Sequence, residues 1–386
     1  MNTRQEKVSI ALFVPSLCYG GAERQVIEIA RHLDRERFDV HILTLIDFSP
    51  LLEPDDELHQ RVHIVERPGG FDPMLLFRVR RLLKKLDVRI VHSFLFLPEF
   101  LARLAAPFAG KPVVIGSERN TDYQLAFYRW FCLRMTSRLS DLIVANSRAG
   151  AAFNAGYFNR SQGQYRVLYN GVDTDRFKPG GTEACRRSIN AAWTDETAVI
   201  GMFGSFKRQK NHVYLFQALA AARSRRDLGD IVLLLVGDTL VEDHDDTLTY
   251  KREVQRALKE HALEDITVVL GNRTAVEAVY VACDFTVLPS LHEGTPNVVL
   301  ESMACGVPAV VTDVSDNAIL VTHEVDGMVV PLNDVEAFSG VLEEMIRNRE
   351  LRENLGLAAR DRMLKDFSLS AMARNAAEIY EEVLAW

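Results

Sequence analysis

The chain has 386 residues, 48% of them hydrophobic and 25% charged, which is the composition of an ordinary globular protein and not of a disordered, collagenous or coiled-coil one. At roughly 100–200 residues per domain, two domains are expected. The net charge of −8 argues against a protein built mainly to bind nucleic acid, but it is unevenly divided: residues 1–180 carry 25 Lys/Arg against 20 Asp/Glu (+5), and residues 181–386 carry 20 against 33 (−13).

Five cysteines (Cys18, Cys132, Cys185, Cys283, Cys305) are scattered without a CxxC pair, which excludes a disulfide framework or zinc site and suits a reducing cytosol. No signal peptide is expected, because the apolar run Val8–Val14 is short and ends at Pro15 with no cleavage pattern behind it. No stretch approaches the roughly 18 apolar residues of a membrane span. A cytoplasmic protein is expected, meeting a membrane only from its inner surface.

In chain order, Val8–Val14 reads as a strand, Ala22–Leu33 as an amphipathic helix, and Val40–Leu45 and Val62–Val65 as strands. A basic helix over Met74–Leu86 follows, then strands at Ile90–Ser93, Val113–Ser117 and Leu142–Asn146. Continuous Val/Ile/Leu runs separated by helices are the pattern of a parallel sheet covered on both faces. The polar segment Tyr169–Thr182 reads as a linker. The rhythm then restarts: strands at Val199–Phe203, Ile231–Val236, Ile266–Leu270, Phe285–Leu288 and Pro308–Thr312, with helices at Asn211–Arg223, Tyr250–His261, Asn297–Cys305, Val335–Arg347 and Glu350–Lys365. Two doubly wound α/β domains in tandem imply ligand sites in the loops beyond the carboxyl ends of their strands, facing a cleft.

The segment Pro289–Pro308 (PSLHEGTPNVVLESMACGVP) concentrates the chemistry. A strand ends at Leu288, Glu293 follows in a loop, Thr295 is a plausible N-cap and Pro296 falls at the first helical position. Such a helix start offers unpaired N–H groups and a positive dipole end, a site for a diphosphate, with Glu293 and Glu301 flanking it. The same residues also suit a capped structural helix with two solvated glutamates.

Glu293-x7-Glu301 within EGTPNVVLESMACGVP resembles the signature of the retaining glycosyltransferases of family 4, which have the GT-B fold. Further similarities run through nearly the whole chain in the right order: Gly20-Gly21-Ala22-Glu23-Arg24, Ser117-Glu118-Arg119-Asn120, Asn146-Ser147, Asn170-Gly171-Val172-Asp173 with Phe177, and Gly204 through Lys210-Asn211-His212. The resemblance implies that Lys210 binds the donor diphosphate, Glu301 the ribose and Glu293 the transferred sugar. It places phosphate oxygens on the backbone of Gly294, Thr295, Pro296, Asn297 and Val298, and the base at Asn272 and Arg273. Gly20, Gly21, Arg119 and Asn120 fall on the acceptor side.

Two positions depart from the family pattern. Ser205 stands where many members carry Arg, so Lys207 or Arg208 is the candidate for the second positive charge. Where the family often has His-x-His, this chain has His92-Ser93-Phe94, which leaves His92 as a substitute catalytic candidate. Asp173-Thr174-Asp175 has metal-binding spacing but reads as turn chemistry, and His244-Asp245-Asp246 as a solvated loop. Arg78, Arg80, Arg81, Lys84 and Lys85 on one helix, and aromatics mixed with Arg over Tyr123–Leu139, suit either a lipid surface or a core helix with a solvated face.

The expectation is therefore a GT-B enzyme with an acceptor domain at 1–180, a donor domain at 181–367 and a last helix, Ser370–Leu384 within 368–386, packing back on the first domain. It would move a hexose-type sugar with retention from a nucleotide diphosphate, of which UDP is favoured, to the hydroxyl of a glycan or lipid-linked acceptor. No metal cofactor is expected. An epimerase or phosphorylase of the same fold, or a non-catalytic nucleotide-sugar binding module, remain the alternatives.

Overall fold

Runs of aliphatic residues buried on both faces form the central strands, and the stretches between them form the helices that cover those faces. The computed structural model describes residues 7–18, 20–66, 72–119, 126–238, 245–273 and 275–386. The first part comprises β1 (Val8–Phe13), α1 (Gly21–His32), β2 (Phe38–Thr44), β3 (Val62–Ile64), α2 (Met74–Lys85), β4 (Ile90–Phe94) and α3 (Phe96–Ala105). It continues with β5 (Val113–Glu118), α4 (Phe127–Met135), β6 (Leu142–Ala145), α5 (Arg148–Phe158) and β7 (Tyr165–Val167). The second part opens with α6 (Thr182–Ile189), β8 (Ala198–Phe203), α7 (His212–Arg225), β9 (Ile231–Val236), α8 (Asp245–Glu260) and β10 (Thr267–Gly271). Then come α9 (Glu277–Ala282), β11 (Phe285–Leu288), α10 (Asn297–Ala304), β12 (Ala309–Thr312), α11 (Asn317–Leu320) and β13 (Gly327–Val330). Three helices close the chain: α12 (Val335–Arg347), α13 (Arg349–Asp366) and α14 (Leu369–Leu384).

The chain divides into two compact units, residues 1–171 with 369–386, and residues 172–368. The division falls earlier than the expected linker boundary near 180, because the second unit holds residues 172–177. Val172 N–H donates to Phe367 O at 2.8 Å, and Arg360 donates to the carbonyls of Phe177 and Thr174 at 2.7 and 2.9 Å.

Both sheets are parallel throughout. The first unit has the order β3-β2-β1-β4-β5-β6-β7, the second β10-β9-β8-β11-β12-β13. Each therefore reverses its winding beside its own first strand, at β1/β4 and at β8/β11, and those switch points are where an open α/β sheet leaves room for a ligand. α14 completes the first unit: Met372, Ala376, Tyr380 and Val383 lie in one buried cluster with Ile10, Leu12 and residues of α1 and β4. Among the described residues, no helix is long and apolar enough to cross a membrane.

Candidate active site

In the second unit, the loops leaving β8 and β11 meet at the switch point. β8 ends into Gly204, whose φ of +148° and lack of a side chain let Lys210 fold over it; an added Cβ would lie 3.3 Å from Lys210 Cε. Gly237 follows β9 with φ +129°, and a Cβ there would come within 2.3 Å of Gly204 O, so these two loops stack backbone on backbone. Gly237 N–H in turn donates to Gly271 O at 2.9 Å, which ties in the loop after β10.

Lys210 Nζ reaches Glu293 Oε1 at 2.7 Å, and Glu293 is almost wholly buried. Ser290 Oγ donates to the same oxygen at 2.6 Å, Gln209 Nε2 lies 3.4 Å from Oε2, and Glu293 N–H donates to Ser315 Oγ at 3.0 Å. Leu291 N–H donates to Gln209 O at 2.8 Å, a backbone bond that joins the two loops. Glu293 is thus a carboxylate fixed in direction, and Lys210 a cation fixed beside it.

α10 starts immediately after this loop. Its N-cap is Pro296 and its first helical residue Asn297, one step later than the sequence expectation of Thr295 as cap and Pro296 as first residue. Pro296 has ψ 103°, an extended value, so it lies outside the helix, and as the N-cap it supplies no side-chain bond to the first turn. Thr295 and Pro296 are buried, and Gly294, Asn297 and Val298 half-buried. One turn into α10, Glu301 Oε2 accepts from Tyr280 OH at 2.8 Å. Tyr280 is buried, stacks on Phe203 with ring centroids 3.8 Å apart, and has its phenol pushed far above the usual range by burial and then by Glu301. Ser290, Gln209, Ser315 and Tyr280 were missed from sequence, since each acts through an already named residue and none has a chemistry that spacing alone betrays.

The remaining donor-side candidates are less convergent. Asn272 and Arg273 are exposed, on the loop after β10. Ser205 gives its carbonyl to Lys207 N–H at 2.8 Å. Arg208 turns away from the loop: it pairs with Glu253 at 2.8 Å and lies 5.3 Å from the Tyr250 ring, so α8 engages the charge expected to face phosphate. Asp173 Oδ1 accepts from the N–H groups of Asp175 and Arg176 at 3.0 and 2.9 Å, a turn and not a ligand pair. His244 lies outside the described residues, and Asp245 opens α8 where a loop was expected.

In the first unit, the expected catalytic role of His92 does not fit its position. The side chain faces the core with no exposure, Nδ1 lies 2.8 Å from Tyr380 OH, and burial, then Arg119, holds the imidazole well below its ordinary pKa. It is a neutral core residue tied to α14. Phe94, the family's second histidine position, is also buried, 4.3 Å from the His92 ring.

Gly20 is the N-cap of α1, but the space over it is already filled: an added Cβ would lie 1.9 Å from Glu23 Oε2. The chain's own carboxylate therefore lies over Gly20, a residue expected on the acceptor side, while Gly21 is open, with nothing within 4 Å. Arg119 donates from Nε to Ser117 Oγ at 3.1 Å and from Nη1 to Asn170 Oδ1 at 2.8 Å, with its guanidinium 5.2 Å from the Phe94 ring. Burial lowers its pKa to about 10. Asn120 lies outside the described residues. Sequence reasoning also missed Leu95, exposed at the end of β4 with φ +68°, a conformation that costs a side-chain-bearing residue of order 1–3 kcal/mol.

Comparison with known proteins identifies the family. The family model described as Glycosyltransferase Family 4 matches residues 19–176, and that described as Glycosyl transferases group 1 matches residues 188–362. The Escherichia coli UDP-Gal:alpha-D-GlcNAc-diphosphoundecaprenol alpha-1,3-galactosyltransferase is 24% identical over 404 residues, covering all of this chain and 99% of that protein. The Campylobacter jejuni N-acetylgalactosamine-N,N'-diacetylbacillosaminyl-diphospho-undecaprenol 4-alpha-N-acetylgalactosaminyltransferase is 24% identical, covering 95% of this chain and 98% of its own. Among solved structures, Anabaena HepE in complex with UDP and glucose superposes with a TM-score of 0.79 at 20% identity, over 97% of this chain and 100% of the other. A glycosyltransferase from Rickettsia africae gives 0.80 at 21%, over 98% and 99%. Two Rossmann-like units with these matches make the chain a glycosyltransferase of the family 4 type, with the GT-B fold.

Proposed function

We propose that this enzyme transfers a hexose-type sugar from UDP to a hydroxyl of a lipid-linked glycan, with retention at the anomeric carbon. The observation that carries the reading is the Lys210–Glu293 pair beside the start of α10 at the β8/β11 switch point. Lys210 Nζ has hydrogens left for a diphosphate after meeting Glu293, and the first N–H groups of α10 add a positive dipole end. Glu301, held by Tyr280, would accept from the ribose hydroxyls, and Glu293 from hydroxyls of the sugar. Two relatives that span nearly the whole chain carry diphosphoundecaprenol acceptors in their names, and one of them UDP-Gal, which supports the choice of UDP and of a lipid-linked acceptor.

In the proposed step the acceptor oxygen attacks the anomeric carbon from the face that the diphosphate leaves. The carbon–oxygen bond to phosphate breaks, and the acceptor proton passes to the departing phosphate oxygen. Lys210 and the α10 terminus stabilise the negative charge that develops there, so no metal is required. Glu293 is already spoken for by Lys210 and Ser290, and on this reading it orients the sugar instead of attacking it.

The test is a thermal-shift screen with UDP-, GDP- and ADP-sugars, since a ligand that binds only the folded state raises its melting temperature. Transfer from the best donor to a diphosphoundecaprenol-linked sugar, followed by assignment of the product anomer, then reads the reaction. A UDP-sugar shift and a product with the donor's anomeric configuration are expected. An inverted product, or an epimerised donor without acceptor, would contradict the proposal.

A further inference from the structure

Away from both switch points, the first unit contains a cavity of about 550 Å³ between the carboxyl end of α4 and the segment that joins α5 to β7. Arg134, Arg138 and Arg160 line it together with Ser137, Ser161 and Gln164, and among the described residues no carboxylate does. Arg160 is nearly buried, its side chain 4% exposed. It gives Nη1 to Glu118 Oε1 at 2.9 Å, while its Nε and Nη2 are buried with no hydrogen-bond acceptor among the described residues. Arg134 lies 5.4 Å from the Trp130 ring, and among the described residues neither it nor Arg138 forms an ion pair. Nor are these two used on the end of α4, where Leu133 O is taken by Arg103 Nη1 at 3.0 Å. Two guanidiniums without a counter-charge converge with a third, Arg160, whose single bond to Glu118 leaves its Nε and Nη2 as orphaned buried donors, and such a place falls in energy when an anion enters.

The rim adds a second observation. Phe127, Phe131 and Met135 recur every fourth residue on α4 and are 75%, 50% and 67% exposed. They form one apolar stripe along the helix, and Met135 at its end also lines the cavity. A phosphate pocket that opens at the end of an exposed apolar stripe matches an amphiphile, with charged head and hydrocarbon tail on adjoining surfaces.

We propose that this cavity binds the phosphate headgroup of an anionic phospholipid while the α4 stripe lies in the adjoining bilayer. This deepens the proposed function by naming what would bring the acceptor unit to a lipid-linked substrate, and it rests on that reading only for its use, because the test reads lipid binding and not transfer.

The experiment is co-sedimentation of the full chain with vesicles of phosphatidylcholine alone and of phosphatidylcholine with 30% phosphatidylglycerol, a chosen assay composition of roughly one anionic lipid in three. Arg160 is bound to a buried glutamate and is left intact; the variant is Arg134→Ala/Arg138→Ala, with melting temperature as the folding control. Binding is expected only to the anionic vesicles, weakened about 30-fold by losing two basic residues near the surface. Phe127→Ser/Phe131→Ser should also weaken it, and Lys84→Ala/Lys85→Ala, which removes equal charge from α2, should not. Equal loss in the α2 variant would overturn the pocket, as would unchanged affinity in the arginine variant. Inorganic phosphate that binds the protein as tightly as the vesicles do would reassign the cavity to the free anion and overturn the lipid.

Discussion

Glu301 accepts a bond that sequence does not reveal, from Tyr280 OH at 2.8 Å, and Tyr280 is itself clamped by stacking on Phe203. Tyr280→Phe keeps the stack and deletes the bond, which costs about 0.5–1.5 kcal/mol for a neutral hydrogen bond and somewhat more to a charged group. The donor KM should rise about 3- to 15-fold with kcat little changed, and an equal KM would show that Glu301 needs no such support. A second residue-scale effect concerns acid stability. Burial, then Lys210, holds the His212 imidazole down at about 3, against 6.5 when exposed, so between those values the unfolded chain binds the extra proton and stability falls as pH falls. His92 acts in the same direction. Glu118, pushed up to about 7 by burial and Glu99, acts oppositely between pH 4.5 and 7, where the folded state holds the proton. Melting temperature should therefore drop most steeply below about pH 4.5, and His212→Gln should flatten the fall between pH 6 and 4. Parallel curves for the two proteins would contradict the assignment.

At the scale of elements, strands were legible where they are fully buried runs dominated by apolar, β-favouring residues: Ile231–Val236 and Phe285–Leu288 have the same limits in sequence and structure. Missed elements lack that signature. β7 is only Tyr165–Val167 with a central arginine, and α3 (FLPEFLARLA) is short, has Pro98 near its start and buries its charged residues Glu99 and Arg103, so its polar side does not mark a solvent face. The residues proposed for the donor site could be named from sequence because they lie in two short contiguous stretches, 204–210 and 289–301, the second running from the loop after β11 into α10. The reading of His92 failed because the partner that buries it, Tyr380, is 288 residues away. The glycine stack after β8 and β9 shows the same limit and supplies a prediction. Gly237→Ala places a Cβ 2.3 Å from Gly204 O at φ +129°, so the variant should lose about 1–3 kcal/mol or more and bind UDP weakly. A melting temperature and UDP affinity equal to the unaltered protein would show that the stack tolerates movement.

At the scale of the molecule, the charge division noted in the sequence separates a basic first half from an acidic second half, and the proposed donor unit must bind an anionic nucleotide against its own net charge. It would do so through local fixed charge, Lys210 and the α10 terminus, and chelation with EDTA should accordingly leave turnover unchanged; loss of turnover restored by a divalent cation would contradict that. The chain also ends in the unit where it began. Deleting residues 369–386 removes Met372, Ala376, Tyr380 and Val383 from the first unit's core, a loss on the order of 5–10 kcal/mol that rivals the stability of a whole domain. Calorimetry should lose the first unit's transition and keep the second's. The central claim is that the Lys210 and Glu293 pair divides the work of binding and transfer, and the most direct measurement is UDP affinity beside turnover in Lys210→Ala and Glu293→Gln. Lys210→Ala should bind UDP about 10- to 100-fold more weakly and lose turnover, whereas Glu293→Gln should bind UDP within about threefold of the unaltered enzyme and lose most turnover. Wild-type activity in both variants would contradict the account.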